Sequence, residues 1–468
     1  MKKDRRISLG LSLIPILFLM ITLILNIKFG NEESIIPLIG TCIVAAIIAV
    51  SKGYTWEELE EGIISSITIT LQSFLILMII GIIIGTWISG GIVPTIIYYG
   101  LHILSPKFFL VASAVLCSIV SLSTGSSWTT VGTIGVALLG IGHGLGVPAH
   151  ITAGSIISGA YFGDKMSPLS ETTNMAAAVT GVDLYEHIKH MFFTTFPALL
   201  ISLVIFFFVG RGYGGNAMDQ SQVLMIEEVI KENFVITPWL FLAPLIVILL
   251  VVKKVPAIPA LMCGAFMGFV CSYFIQKADP ISILNSAQYG FEADTGNELV
   301  DQLLSKGGLD GMMYTISLII LAMSIGGILE TSGMLQTIVD SLLKLVKGTG
   351  SLIASAVASS ILVNIVTGDQ SLAIILPGRM FAKTFEEYNL KAKNLSRVCE
   401  DGGTVTSPLV PWNVCGAFMA STLGVPTIMY LPFCFFNLIS PLISIIWGFT
   451  GITIEKINNK DEMKGRGK

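Results

Sequence analysis

Apolar runs of bilayer or near-bilayer length recur along this chain: Leu9 to Phe29, Phe74 to Ile88, Phe192 to Val209, Pro238 to Val252 and Tyr430 to Phe449 are the plainest. About twenty such residues in a helix span the hydrocarbon core of a membrane. Hydrophobic residues make up 53% of the 468 and charged residues 12%, about half the share in a soluble chain. Too few polar side chains remain to coat a water-soluble globule, and in hydrocarbon a helix satisfies its own backbone hydrogen bonds. The chain therefore reads as an all-α polytopic membrane protein. The basic start Met1-Lys-Lys-Asp-Arg-Arg6 precedes a run too long for a signal peptide, with no small-residue cleavage site after it, so the run is expected to be the first helix.

Composition also excludes several classes. A net charge of −4 with no long basic run gives no footprint for nucleic acid. The seven cysteines are scattered through apolar sequence without metal spacing and read as small buried hydrophobes. No P-loop, nucleophile elbow or zinc-protease motif occurs, and Gly140-Ile-Gly-His-Gly-Leu-Gly146 follows no strand. Neither an enzyme nor a cofactor is expected, and the partners are the lipid bilayer and whatever small species crosses it.

The chain also repeats itself. Leu110-Val-Ala-Ser-Ala-Val-Leu-Cys-Ser118, leading to Thr124-Gly125, returns as Leu352-Ile-Ala-Ser-Ala-Val-Ala-Ser-Ser360, leading to Thr367-Gly368. At an offset of 242 the match is ungapped from Gly85 to Ser118, and after small shifts Gly163 to Leu169 faces Gly403 to Leu409. Internal repeats with Gly- and Ser-rich breaks inside apolar segments point to a secondary transporter with its site near the midplane.

Each half contains two helices, a short polar or acidic stretch (Trp56 to Glu61; Asp301 to Asp310), a third helix, and a short helix such as Val93 to Leu104. Two apolar segments meeting at Thr-Gly, a Gly/Pro-interrupted segment and a last helix follow. The segments around Thr124-Gly125 look short for full crossings, which favours a re-entrant hairpin with its tip at Ser121 to Ser127; two thin crossings are the alternative.

Charge assigns the sides. The basic Met1 to Arg6 should be cytoplasmic, whereas its partner, Arg211 to Asn233, is acidic overall. Lys28 to Glu33 is net acidic against Lys253-Lys254, and Gly140 to Pro148 lacks the five basic residues of Gly378 to Arg397. Equivalent loops thus fall on opposite sides. The expected architecture is two inverted-topology repeats, residues 1–210 and 237–455, with an external linker at 211–236 and a cytoplasmic tail at 456–468. Both termini are expected in the cytoplasm, and the chain in the cytoplasmic membrane.

The chemistry is expected at the breaks. Tyr161 to Asn174 lies between apolar runs and carries Gly163 and Pro168, which together interrupt a helix. Sodium takes about five or six hard oxygens, by the logic of calcium and magnesium sites. Asp164, Ser167, Ser170, Thr172, Thr173 and Asn174 offer such donors. In the second half Thr404 stands where Asp164 would, while Asp369 follows Thr367-Gly368 where the first tip has Ser126. An acid inside a membrane is costly and marks a candidate site. Asp164 and Asp369 are the expected Na⁺ ligands. Ser123, Thr124, Ser126, Ser127, Asn364 and Thr367 are candidate tip ligands, and Glu171, Glu400 and Asp401 candidate proton relays. Asp401 has a structural alternative, an ion pair with Arg397 one turn earlier. His187 and His190 read as interfacial and Arg379 as a cytoplasmic anchor. A carboxylate that takes either Na⁺ or H⁺ makes the two compete, and competition with alternating access is antiport.

The string Gly163-Asp-Lys-Met-Ser-Pro-Leu-Ser-Glu-Thr-Thr-Asn174, with Gly181-Val-Asp-Leu-Tyr-Glu-His-Ile-Lys-His-Met191, resembles the signature of the NhaC family of Na⁺/H⁺ antiporters. The likeness covers nearly the whole chain. The family is similar to the wider ion transporter superfamily, which implies two inverted repeats, each with a re-entrant hairpin and a broken helix, ions near Asp164, and a homodimer by analogy. Within the same resemblance lies a malate-proton/lactate-sodium antiporter branch, so exchange of malate and lactate stands as the alternative to simple Na⁺/H⁺ exchange. A channel and an intramembrane aspartyl enzyme using Asp164 and Asp369 are weaker rivals.

Overall fold

The computed structural model describes residues 5–28, 35–213 and 220–457. Among them every regular element is helical, apart from two isolated β-bridges, Phe291 with Lys306 and Leu390 with Lys456. The first half supplies α1 (Leu9–Lys28), α2 (Ile35–Ser51), α3 (Trp56–Ile69), α4 (Leu71–Ser89), α5 (Ile92–Ile103) and α6 (Pro106–Thr124). Next come α7 (Ser127–Thr130), a π-turn at Val131–Gly135, α8 (Val136–Gly144), α9 (Ala149–Met166), α10 (Glu171–Thr180) and α11 (Leu184–Tyr213). A connecting helix, α12 (Gln220–Asn233), leads to α13 (Leu242–Val252), α14 (Ala257–Phe274), α15 (Pro280–Tyr289), α16 (Glu298–Leu304), α17 (Asp310–Thr331) and α18 (Met334–Leu343). The chain closes with α19 (Thr349–Thr367), α20 (Gln370–Glu387), α21 (Ala392–Cys399), a π-turn at Glu400–Thr404, α22 (Val414–Leu423), α23 (Thr427–Tyr430) and α24 (Phe435–Thr450).

Helix surfaces carry the imprint of lipid. On α11 Leu200, Val204 and Phe208, one turn apart, are exposed, while Thr194, Ala198 and Ser202 on the opposite side are buried. A soluble helix would turn the other way; in a bilayer the small and polar face is the one that packs. Seven helices among the described residues are long and apolar enough to cross a membrane, or up to nine if two sharply bent pairs each count as one span. The protein is thus an all-helical, multi-pass membrane protein.

Packing crosses the halves. α4 lies against α14 and α15, and α17 against α2 and α3. α6 and α9 form the closest pair: Gly159 and Gly163, four residues apart, let the backbones approach, and Ser121 Oγ donates to the Ala160 carbonyl at 2.6 Å. Left-handed glycines end helices at matched places in the two halves, Gly91 and Gly333 (φ 73° and 70°), Gly125 and Gly368 (both 68°), Gly181 and Gly424 (69° and 67°).

Several expectations change. Trp56 to Glu61 is the first turn and a half of α3, started by a capping box in which Thr55 and Glu58 exchange hydrogen bonds. The run Pro238 to Val252 begins as a 3-10 turn and meets the connecting helix at 91°. Tyr430 to Phe449 is interrupted at Leu431–Phe433, where Pro432 removes a donor. The arm before Gly125 is longer than it looks: α6 has 19 residues and qualifies as a span by itself, as does α19 before Gly368, whereas the arm after Gly125 consists of α7, the π-turn and α8. Shortness of the first arm is therefore no argument for a re-entrant hairpin, although the helix–turn–helix is present at both Thr-Gly tips. α11 continues three residues past 210. The loop at Phe29 to Glu33, Met1 to Asp4 and the tail from Asn458 onward lie outside the described residues.

Candidate functional site: a cavity where the helices break

α9 stops at Met166, because Pro168 cannot continue its ladder, and the chain restarts at Ser170, which accepts a hydrogen bond from the Thr173 N–H and caps α10. Against this break rests the tip between α6 and α7. Gly125 makes the contact: a Cβ there would stand 2.6 Å from the Leu169 carbonyl carbon and 2.8 Å from the Ser170 nitrogen, so only glycine fits. Ser126 caps α7 through the Thr129 N–H.

The equivalent tip of the second half meets the same space. Asp369 caps α20, accepting from the Leu372 N–H at 2.8 Å, and α22 begins beside it. Together these ends enclose a cavity of about 530 Å³. Asp164 and Asp369, both buried, line it, as do Thr124, Ser126, Ser127 and Ser170. Asp164 is tied to the tip: the Ser127 hydroxyl donates to its Oδ2 at 2.7 Å and the Ser127 N–H at 3.1 Å. Exposed Glu171 and Lys254 flank the opening. Three helix N-termini, of α7, α10 and α20, direct partial positive charge at the space that the two acids make negative.

Some expected ligands lie elsewhere. Ser167 is buried, and its Oγ accepts from the Leu169 N–H; the Thr173 hydroxyl donates to the Lys165 carbonyl. Asn174 is exposed and spends its amide on the carbonyls of Pro168 and Ser170, stabilising the break from outside. Ser123 is exposed and bonds back into its own helix, and Thr367 does the same. Asn364 clamps the Gly403 carbonyl at 2.6 Å. None of these six lines the cavity. His187 and His190 are buried, His187 Nδ1 lying 2.7 Å from Ser396 Oγ. Arg379 is exposed.

Glu171 lines the cavity mouth, but Glu400 and Asp401 sit in the second π-turn, fully buried and away from the cavity lining. Asp401 does not pair with Arg397, whose Nη1 goes to Thr453. Its partner is Lys165, the residue after Asp164. Lys165 escaped the sequence reading, yet the signal was there: a lysine in a segment flanked by apolar runs is as costly as the aspartate beside it. Gln72, Ser73, Thr129, Gln370 and Ser371 are further polar lining residues not singled out. No group of three His, Cys, Asp or Glu side chains among the described residues is placed to hold a metal ion, so a cation here needs hydroxyl and carbonyl oxygens besides the acids.

The model of the Na+/H+ antiporter family matches residues 159–452, from the middle of α9 to the end of the last helix. The chain is similar to the Na(+)/H(+) antiporter NhaC of Alkalihalophilus pseudofirmus, with 40% identity over 99% of this chain and 100% of that one. It is also similar to the arginine/ornithine antiporter ArcD of Halobacterium salinarum, at 39% identity over 96% of this chain and 93% of that one. To the malate-2H(+)/Na(+)-lactate antiporter of Bacillus subtilis the identity is 36%, over 96% of each chain. All three relatives are antiporters, and the chain belongs to the NhaC family of Na⁺/H⁺ antiporters, transporters and not enzymes.

Proposed function

We propose that this protein exchanges Na⁺ for H⁺ across the cytoplasmic membrane by alternating access. One observation carries the reading: two buried aspartates, one from each half of the chain, line a single cavity at the helix breaks. Asp164 is the exchanging group. Its carboxylate takes either a proton or a sodium ion, the latter with hydroxyls of Ser127 and Ser170 and carbonyls freed at the break, and Asp369 supplies the second negative charge. Glu171 at the opening is the first stop for a departing proton. The cycle closes when the cavity is exposed to the other side.

The scaffold we propose is a pair of inverted repeats, residues 1–210 and 237–455, with the connection at 211–236 outside and both termini in the cytoplasm. The matched left-handed glycines and the reciprocal packing of α4 and α17 support it. A reporter fused after Asn31 then reads external and one after Lys254 cytoplasmic; the same side for both rejects the inversion.

A second reading draws on the size of the cavity. At about 530 Å³ it exceeds what a bare cation occupies, and helix N-termini with Lys254 suit a carboxylate. Small carboxylates such as malate and lactate, or amino acids, are the candidates, in line with what two of the relatives exchange. Proteoliposome flux separates the readings. Under Na⁺/H⁺ exchange, an imposed Na⁺ gradient drives proton movement that malate, lactate, arginine and ornithine leave unchanged; strict dependence on any of them transfers the function to the second reading.

A further inference from the structure

Lys165 and Asp401 form an ion pair in which both side chains are fully buried. It joins the end of α9 in one half to the π-turn after α21 in the other. Asp401 Oδ1 also accepts from Ser440 Oγ at 2.8 Å and Thr194 Oγ1 at 3.2 Å, and Lys165 Nζ reaches Ser440 Oγ at 3.2 Å. None of these groups lines the cavity. Beside Asp401 stands Glu400, equally buried, and neither of its carboxyl oxygens has a hydrogen-bond partner. Lys165 is near enough to act on Glu400 electrostatically, as is Asp164. One ammonium thus acts on two adjacent carboxyls, of which it holds one, while the buried Arg397 guanidinium acts on Asp401 from the preceding turn. Buried polar groups are almost always satisfied, so an orphan acid next to a paired one calls for an explanation.

Lys165 is also one residue from Asp164, on the same turn of α9. Asp164 is held by Ser127 at the tip, and a cation that binds both oxygens replaces that hydrogen bond with ion contacts and so moves that turn. The shift carries the Lys165 ammonium with it. We infer that Lys165 is a positioning residue whose ammonium passes from Asp401 to Glu400 during the exchange cycle, coupling occupancy at Asp164 to movement between the halves. Two discrete acceptors for one cation make a bistable element of the kind that transmits a small local shift. The inference rests on the Na⁺/H⁺ reading above and assigns Glu400 a role in no single resting structure, only in passage between two.

The test is Na⁺-driven proton flux in proteoliposomes of the full chain, read as maximum rate and half-saturating Na⁺, for the parent, Glu400→Gln, and the double variant Lys165→Met/Asp401→Asn. Glu400→Gln removes no hydrogen bond, so a structural role predicts the parental rate. The expected result is a maximum rate at least about tenfold lower in both variants, equivalent to about 1.4 kcal/mol on the barrier, with half-saturating Na⁺ within twofold of the parent. A parental rate in Glu400→Gln overturns the inference. So does a slow Glu400→Gln with a parental double variant, which leaves Glu400 acting without Lys165, and so does a rise in half-saturating Na⁺ that accounts for the loss, which places the pair in the binding site. If the double variant does not elute as folded protein, Glu400→Gln decides alone. Absence of flux in the parent sinks the exchange reading, and the inference with it.

Discussion

Asp164→Asn is expected to leave a folded protein that no longer moves protons in response to a Na⁺ gradient, with flux down by about 100-fold or more, equivalent to about 2.7 kcal/mol. The amide keeps an oxygen for the Ser127 hydroxyl and N–H, the two contacts that tie α9 to the tip, so the break and the cavity should persist. What disappears is the negative charge and the capacity to hold a proton. Flux in proteoliposomes checks the first consequence, and elution as a single species in detergent checks the second. Exchange near the parental level would remove Asp164 from the site and leave Asp369 as the remaining candidate.

Lys165→Met alone should be strongly destabilising. It strands Asp401 in a fully buried position with only two hydroxyl donors, and removing one partner of a buried pair costs about 3–5 kcal/mol. Thermal aggregation in detergent should begin several degrees earlier. Adding Asp401→Asn should recover most of that loss, because an amide accepts from Ser440 and Thr194 without an unpaired charge. A single variant as stable as the parent would mean that water or rearrangement reaches Asp401, against its burial.

Much of the fold was legible because lipid imposes simple rules. Long uncharged runs became α1, α4 and α11, and the Thr-Gly tips became helix–turn–helix junctions at left-handed glycines. The reading failed where proline acts inside an apolar run. Pro432 divides a segment whose composition is uniform, and hydropathy does not register a missing N–H. At the site, Asp164 and Asp369 could be found by the cost of charge in hydrocarbon, and they do share a cavity. The hydroxyl candidates could not be sorted in the same way. Ser127 and Ser123 are alike in composition, but one donates to Asp164 while the other bonds its own helix. That difference is fixed by which side of a helix each occupies, and Asn174 likewise braces the break from its outer surface.

The two π-turns bear on how the halves should be compared. Each accommodates one residue more than an α-turn, and one residue is about 100° of rotation. In the first half the extra residue falls after the tip, at Val131–Gly135; in the second it falls before the break, at Glu400–Thr404. Helical phase is therefore reset at different points in the two halves, and letters that align need not point the same way. Thr404 aligns with Asp164 yet sits inside a π-turn, off the cavity wall, whereas Asp369 aligns with a serine and meets Asp164 across the cavity. Two stretches of similar sequence can thus, by slipping helical phase, turn different charges inward.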